Sequence, residues 1–270
     1  MPVECDIEPV PITRDEYHKL DYEVTGIAFD IYNQMGRLHN ESTYCRVLAR
    51  RLAERGHRVE VEVPITVSHG EFAKTFYMDM VVDRCIVYEI KCVEALHGRH
   101  EAQLINYLVL SAVWWGKLVN FGPESVDGYY LSACFTEADR YDYSVDVQDW
   151  EEVGETSAGF KETILELARD WGMFLDSCLF YEALCQFMGG REEVLCPVDI
   201  VDRGQTVGSE RMLLLSPNVT FDITAIKDTL VPYRTHLSRK LSCTRLRAMQ
   251  WVNFEKHRIR FITLRNEGSV

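Results

Sequence analysis

Residues 78–91 read Met78-Asp79-Met80-Val81-Val82-Asp83-Arg84-Cys85-Ile86-Val87-Tyr88-Glu89-Ile90-Lys91. Two apolar runs flank a polar turn, the pattern of a β-hairpin. Side chains alternate along a strand, so Glu89 and Lys91 share one face while Tyr88 and Ile90 share the other. Whether Asp79 joins Glu89 depends on the turn. A three-residue connection at Asp83-Arg84-Cys85, pairing Val82 with Ile86, sets Asp79 opposite Glu89. A two-residue turn would put the two carboxylates on opposite faces.

Two carboxylates converging on a rigid hairpin suit Mg²⁺, a hard ion that takes oxygen ligands and keeps several waters. Such an ion stabilises charge on a phosphate oxygen and lowers the pKa of a bound water. Lys91 beside it would orient that nucleophile or neutralise developing negative charge. The spacing by itself is weak, because an edge hairpin carrying an ordinary Glu–Lys surface pair has the same letters.

Working outward, residues 22–35 place Tyr22, Val24, Ile27, Ala28, Ile31, Tyr32 and Met35 at helical spacing before Gly36 breaks the pattern. A second helix is expected from Glu41 to Glu54, stopped at Gly56. Strands follow at Val59–Val67, Thr75–Val82 and Ile86–Val93, then a helix over about His100–Trp114, then strands Gly116–Phe121 and Gly128–Phe135. Glu41 lies at the start of the second helix, where it could support the ion or its water; a helix-capping acid is the plainer reading. Gln103 and Tyr107 are four apart on the third helix, hence on one face, and both can hydrogen-bond to a phosphate or a carboxylate. A partly buried face with Tyr107 in the core is the alternative.

The second half repeats this order. Gly36–Leu48 lies over Gly172–Leu184 without a gap, and His100–Phe121 over Tyr233–Phe254, ending Leu118-Val119-Asn120-Phe121 against Trp251-Val252-Asn253-Phe254. The strand Gly128–Phe135 resembles His257–Thr263. Between the copies the chain is strongly acidic, which reads as a linker. The putting together of the two copies sets Ser177 against Glu41, Phe180 against Tyr44, Leu213 or a neighbour against Asp79, and Thr224-Ala225-Ile226-Lys227 against Glu89–Lys91. His236 replaces Gln103, and Lys240 replaces Tyr107. This copy therefore reads as degenerate, without the catalytic carboxylates. Its role is either to pack against the first copy as an intramolecular pseudo-dimer or to hold phosphates.

Composition bounds the rest. The 270 residues are 47% hydrophobic and 26% charged, as expected of a globular chain with room for two domains. No apolar run nears the roughly 18 residues of a membrane span, and no signal pattern opens the chain. Nine dispersed cysteines without a C-x-x-C pair argue for reduced thiols in a cytoplasm and against zinc or an iron–sulfur cluster. A net charge of −13 opposes phosphate binding overall. Basic residues do gather at 46–58, including Arg46 and Arg50, and at 234–265, including Arg234, Arg239, Lys240, Arg245 and Arg247. Either group could form a local phosphate-binding surface or an ordinary solvated one.

From Tyr22 to Phe121 the chain resembles the GxxExxY family of prokaryotic proteins, within the PD-(D/E)XK nuclease superfamily and close to RecB-type exonucleases with a QxxxY motif. The resemblance rests on Glu41-Ser-Thr-Tyr44, the Asp79 strand, Tyr88-Glu89-Ile90-Lys91 with Val93-Glu94-Ala95-Leu96, and His100-Glu101-Ala102-Gln103-Leu104 with Tyr107. It implies Asp79 and Glu89 as metal ligands, Lys91 as the catalytic lysine, Glu41 as an accessory acid that also reaches the metal, and Gln103 and Tyr107 completing the site. The family's glycine three residues before the Glu is Leu38 here, with Gly36 nearby.

The resulting expectation is an α/β, restriction-endonuclease-like core, a mixed central sheet flanked by helices, present twice in tandem. Residues 1–136 would carry the intact site, 137–156 a linker, and 157–270 the degenerate repeat. The function expected is Mg²⁺-dependent (Mn²⁺ substituting) hydrolysis of phosphodiester bonds, of DNA above other substrates, in repair or defence. The competing reading is a catalytically silent nucleic-acid-binding or protein-assembly module on the same fold, with a further protein partner.

Overall fold

A computed structural model describes residues 3–266. The chain divides into two compact units, Met1–Asp139 and Arg140–Val270.

In the first unit a short strand β1 (Val3–Cys5) precedes helix α1 (Arg14–Met35). This helix starts eight residues before the apolar periodicity becomes clear. Thr13 and Glu16 form a reciprocal capping box that satisfies two N-terminal donors. Its buried side chains are Tyr17, Val24, Ile27, Ala28 and Ile31, whereas Tyr22, expected on that face, is 85% exposed. Gly36 closes α1 at φ 72°, a backbone region costly for other residues. Leu38, in the following loop, is fully outward.

Helix α2 (Glu41–Glu54) is capped by Asn40 and leads into strands β2 (Val59–His69), β3 (Phe72–Val82) and β4 (Ile86–Lys91). Helix α3 (Gly98–Ser111) then crosses to β5 (Trp115–Asn120), and β6 (Asp127–Ser132) follows. The sheet runs β1-β2-β3-β4-β5-β6, with β4 and β5 parallel and every other neighbour antiparallel. One sheet face, with Met80, Val82, Ile86, Tyr88 and Ile90, packs on Ile27, Ile31, Tyr44, Leu48 and Leu52 of α1 and α2. The other receives α3. Gly116 permits that approach, since a Cβ there would stand 2.9 Å from Leu104 Cδ1.

The second unit begins where a linker was expected. Helix α4 (Glu137–Tyr141) spans the boundary, and Ser144–Asp149 is a strand, β7, paired in parallel with β12 (Arg258–Arg265). The acids that suggested a solvated linker are counter-charges for arginines remote in sequence. Asp149 bonds Arg234 at 2.5 Å, Asp146 lies 3.5 Å from Arg260, and Glu151 pairs with Arg265. The unit continues with α5 (Glu155–Trp171), α6 (Ser177–Phe187), the short α7 (Arg191–Val194), β8 (Leu195–Asp202), β9 (Gln205–Ser216), β10 (Val219–Thr224), α8 (Leu230–Ser242), β11 (Ala248–Glu255) and then β12. Its sheet order is β7-β12-β11-β10-β9-β8.

The strands β8 to β12 pair in the senses of β2 to β6: antiparallel, antiparallel, parallel, antiparallel. Local details recur. Gly172 ends α5 at φ 73°, as Gly36 ends α1. Phe180 packs on Phe254 at 4.3 Å between ring centroids, as Tyr44 stacks on Phe121 at 4.2 Å. Asn253 ties the backbone of Ile226 through both its amide atoms, and Asn120 does the same for Val93. Trp115 and Trp251 are buried strand residues.

Candidate active site

The register of β3 and β4 is Val82↔Ile86, Val81↔Val87, Met80↔Tyr88, with Cys85 N–H closing the turn on the Val82 carbonyl. This is the three-residue connection that places Asp79 beside Glu89. The ladder stops at Met80, and the Asp79 carboxylate takes over the next bond, accepting the Ile90 N–H on Oδ2 at 2.8 Å. The Cys45 thiol of α2 donates to the Asp79 carbonyl at 3.3 Å. Asp79 is thus held through both its backbone and its side chain.

Glu89 is 1% exposed. Its Oε1 accepts two bonds, from Lys91 Nζ at 2.7 Å and Gln103 Nε2 at 2.7 Å. Gln103 also donates to the Tyr107 hydroxyl at 2.9 Å. Gln103 and Tyr107, one turn apart on α3, therefore brace the carboxylate from the helix side, and Phe76 packs edge-on against Tyr107. Glu89 Oε2 is buried and has no hydrogen-bond partner among the described residues. A buried carboxylate oxygen without a partner is costly and calls for a ligand.

Electrostatics follow from this packing. Burial, then the nearby charge of Asp79, pushes the Glu89 carboxyl up to about 7 against the pull of Lys91. Burial raises Asp79 as well, opposed by the Ile90 N–H and Lys91. Burial lowers Lys91, but Glu89 more than offsets this and its pKa is raised, so it stays protonated.

Glu41, first residue of α2, accepts the Cys92 N–H on Oε1 at 3.1 Å, one residue beyond Lys91. Its helix is oriented by Tyr44, whose hydroxyl donates to the Gly36 carbonyl at 2.5 Å. The structure thus gathers Glu41 from the start of α2, Asp79 from within β3, Glu89 and Lys91 from the end of β4, and Gln103 and Tyr107 from the middle of α3. Among the described residues no group of three or more His, Cys, Asp or Glu side chains is placed to hold a metal ion. Asp79 and Glu89 are left as the candidate oxygen ligands, a small set that suits Mg²⁺, which keeps several of its waters. Asn120 is a residue the sequence reading passed over, although the shared Asn120 and Asn253 signalled it. It is fully buried and clamps Val93, so it fixes the chain leaving Lys91.

The candidate phosphate contacts are not all free. Arg50 pairs with Glu54 at 3.7 Å, Lys240 with Glu210 at 3.8 Å, and Arg245 with Asp199 at 3.4 Å. Arg46, Arg239 and Arg247 are exposed.

The strand register also revises the equivalence drawn from the sequence. Lys91 stands opposite Asn120 and Thr224 opposite Asn253, so Glu89 corresponds to Asp222, not to Thr224 or Ala225. Lys227 falls beyond β10, at the place of Glu94. By register a carboxylate, Asp222, stands at this position of the second unit.

Comparison with known proteins bears on the same stretch of chain. Residues 18–130 match the family model described as PD-(D/E)XK nuclease superfamily. That span holds all six residues of the site and lies within the first unit. No curated protein matches the chain. The solved structure of SSO0001 is 23% identical over 46% of this chain and 61% of its own, with a TM-score of 0.28, too low for a shared fold to be inferred. The chain thus spans less than two thirds of that protein. No helix among the described residues is long and apolar enough to cross a membrane.

Proposed function

We propose that the first unit is a Mg²⁺-dependent nuclease acting on DNA, in repair or defence, and that the second is a duplicate of it that has lost the catalytic set. The observation that carries the first reading is Glu89 Oε2: a buried, unpartnered carboxylate oxygen beside Asp79, with Lys91 fixed on the other oxygen. The residues fit a divalent cation, which Asp79 and Glu89 would hold, with Glu41 at its edge. When bound, the ion supplies neutralisation at a phosphate oxygen and a lowered pKa for an attacking water.

The protein's own groups do the rest. Gln103 and Lys91 fix the Glu89 carboxylate through Oε1, which leaves Oε2 as the oxygen to meet the ion. Lys91, charged and held within 2.7 Å of Glu89, donates toward the nucleophile or the phosphate oxygen where negative charge develops. Gln103 occupies the lone pair of the Tyr107 oxygen, which leaves the Tyr107 O–H to donate outward. Arg46, Arg50, Arg239, Arg245 and Arg247 are the candidate contacts to the nucleic-acid backbone, with Lys240 among them.

The duplication is supported by the shared pairing senses, the paired glycine caps and the Asn120 and Asn253 clamps. Incubation with single- and double-stranded DNA and RNA, in Mg²⁺, Mn²⁺ or EDTA, tests the activity. Cutting should need the ion and vanish in Asp79→Ala and Lys91→Ala. The net charge of −13 favours a silent protein-assembly role instead; absence of cutting under all of these conditions would support a silent role, with DNA binding then separating a nucleic-acid-binding module from a protein-assembly one.

A further inference from the structure

We propose that the second unit binds a phosphate group at the place where the first would hold its metal. The inference rests on the reading that this chain handles nucleic acid, but not on its cutting it. A cavity of about 250 Å³ is lined there by Tyr181, Arg211, Met212, Asp222, Leu237 and Lys240, among others. Three of the positions that answer by register to the first unit's site, Met212, Asp222 and Lys240, line it. Thr220 pairs with Leu214, so Met212 stands to Asp222 as Asp79 stands to Glu89. Lys240 holds the place of Tyr107, and Arg211 precedes Met212 as Met78 precedes Asp79.

The chemistry inverts between the two. Three carboxylates face one lysine in the first unit. At the same six positions in the second stand Ser177, Met212, Asp222, Thr224, His236 and Lys240, one carboxylate against one lysine, and Arg211 adds a further cation. The remaining carboxylate is also hydrogen-bonded on both oxygens. Asp222 Oδ2 accepts the Tyr233 hydroxyl at 2.9 Å and Oδ1 the Ile223 N–H at 3.0 Å, where Glu89 leaves an oxygen bare.

Both cations are held in exposed ion pairs. Arg211 uses Nε and Nη2 on the Leu195 carbonyl and Glu192, and its Nη1 makes no hydrogen bond among the described residues. Lys240 has one ion pair, to Glu210 at 3.8 Å. Both acidic partners are more than half exposed, so a phosphate competes only with solvated pairs of small worth. Arginine and lysine converging on a concave site are the usual donors to phosphate oxygens.

The test uses the full chain carrying Asp79→Asn and Glu89→Gln, in EDTA, so that the first unit's site takes no part. Inorganic phosphate and a deoxynucleoside 5′-monophosphate are titrated while the Ile223 amide is followed by NMR. Oligonucleotides with and without a 5′-phosphate then compete. Saturable binding is expected, weakened at least tenfold by Arg211→Ala with Lys240→Ala. Lys240→Glu is a second variant, and circular dichroism verifies the folding of each. Asp222→Asn keeps an acceptor for Tyr233 but removes the adjacent negative charge, so it should tighten phosphate severalfold. Competition by the phosphorylated strand identifies a strand end, and competition by the nucleotide alone a small-molecule ligand; both support the site. No saturable binding at millimolar phosphate overturns the proposal, as does binding indifferent to both cation variants or weakened by Asp222→Asn. Phosphate binding without cutting by the wild type would sink the nuclease reading alone, and cutting without phosphate binding this inference alone.

Discussion

Glu89 makes the binding of a divalent ion depend on pH, and the size of the effect can be worked out. Its carboxyl sits at about 7 instead of the ordinary 4.5, because it is buried beside Asp79. The ion requires the carboxylate form. Above pH 7 apparent affinity should be flat; at pH 6 it should fall to about a tenth of the plateau, and at pH 5 to about a hundredth. Asp79→Asn removes the charge that helps hold the pKa up, so the Glu89 midpoint should move to lower pH even as ion affinity drops. The same shift marks stability. The folded chain holds this proton more tightly than the unfolded chain, so the contribution of Glu89 is present below pH 4.5 and is lost as pH rises to about 7. The loss is about 3 kcal/mol for a group this buried. Calorimetric Mn²⁺ titrations from pH 5 to 8.5 in buffers of different ionisation enthalpy give both affinity and protons released. Equal affinity at pH 5.5 and 8, with no proton release, would refute the reasoning.

Other substitutions follow from the same geometry. Lys91→Met should lower the cutting rate by about a hundredfold to a thousandfold, the loss typical of one transition-state donor, and should raise the Glu89 midpoint further; single-turnover rates and carboxyl NMR titration read these. Gln103→Leu removes a donor from both Glu89 and Tyr107 and should cost about 1–2 kcal/mol in urea unfolding, with a larger effect on kcat than on KM. Asn120→Ala leaves the Val93 backbone unpaired and should cost about 2–3 kcal/mol, reducing ion affinity as the strand end loosens. Asn253→Ala should cost as much in unfolding yet leave ion affinity intact. Gly122→Ala would bring a Cβ to 2.2 Å from the Val93 carbonyl oxygen, so the segment after Lys91 must shift and the melting temperature should fall.

Much of the first unit was legible because its constraints are local. Alternation along β4 fixed which residues share a face, and the need for Asp79 to meet Glu89 demanded the odd-length turn that Asp83, Arg84 and Cys85 make. The start of α1 was legible but passed over: Thr13 and Glu16 spell a capping box in the sequence itself. Other features depend on partners far along the chain. Residues 137–156 look like a solvated linker until Arg234, Arg260 and Arg265 are brought beside their acids, across separations no composition reveals. The Asp222 equivalence was legible too but passed over: the gap-free match of His100–Phe121 to Tyr233–Phe254, carried back at the same offset, sets Glu89 against Asp222. The bare Oε2 of Glu89 is a matter of tertiary packing, since only the positions of Lys91 and Gln103 on Oε1 leave it unpaired.

A crystal of the wild-type chain grown above pH 7.5 and soaked in Mn²⁺ speaks most directly to the central claim. The account predicts an anomalous peak within bonding distance of Glu89 Oε2 and an Asp79 oxygen, with Lys91 still on Oε1, and no such peak in Glu89→Gln. A saturating soak that leaves Oε2 without an ion, or places the peak away from Asp79, would contradict it.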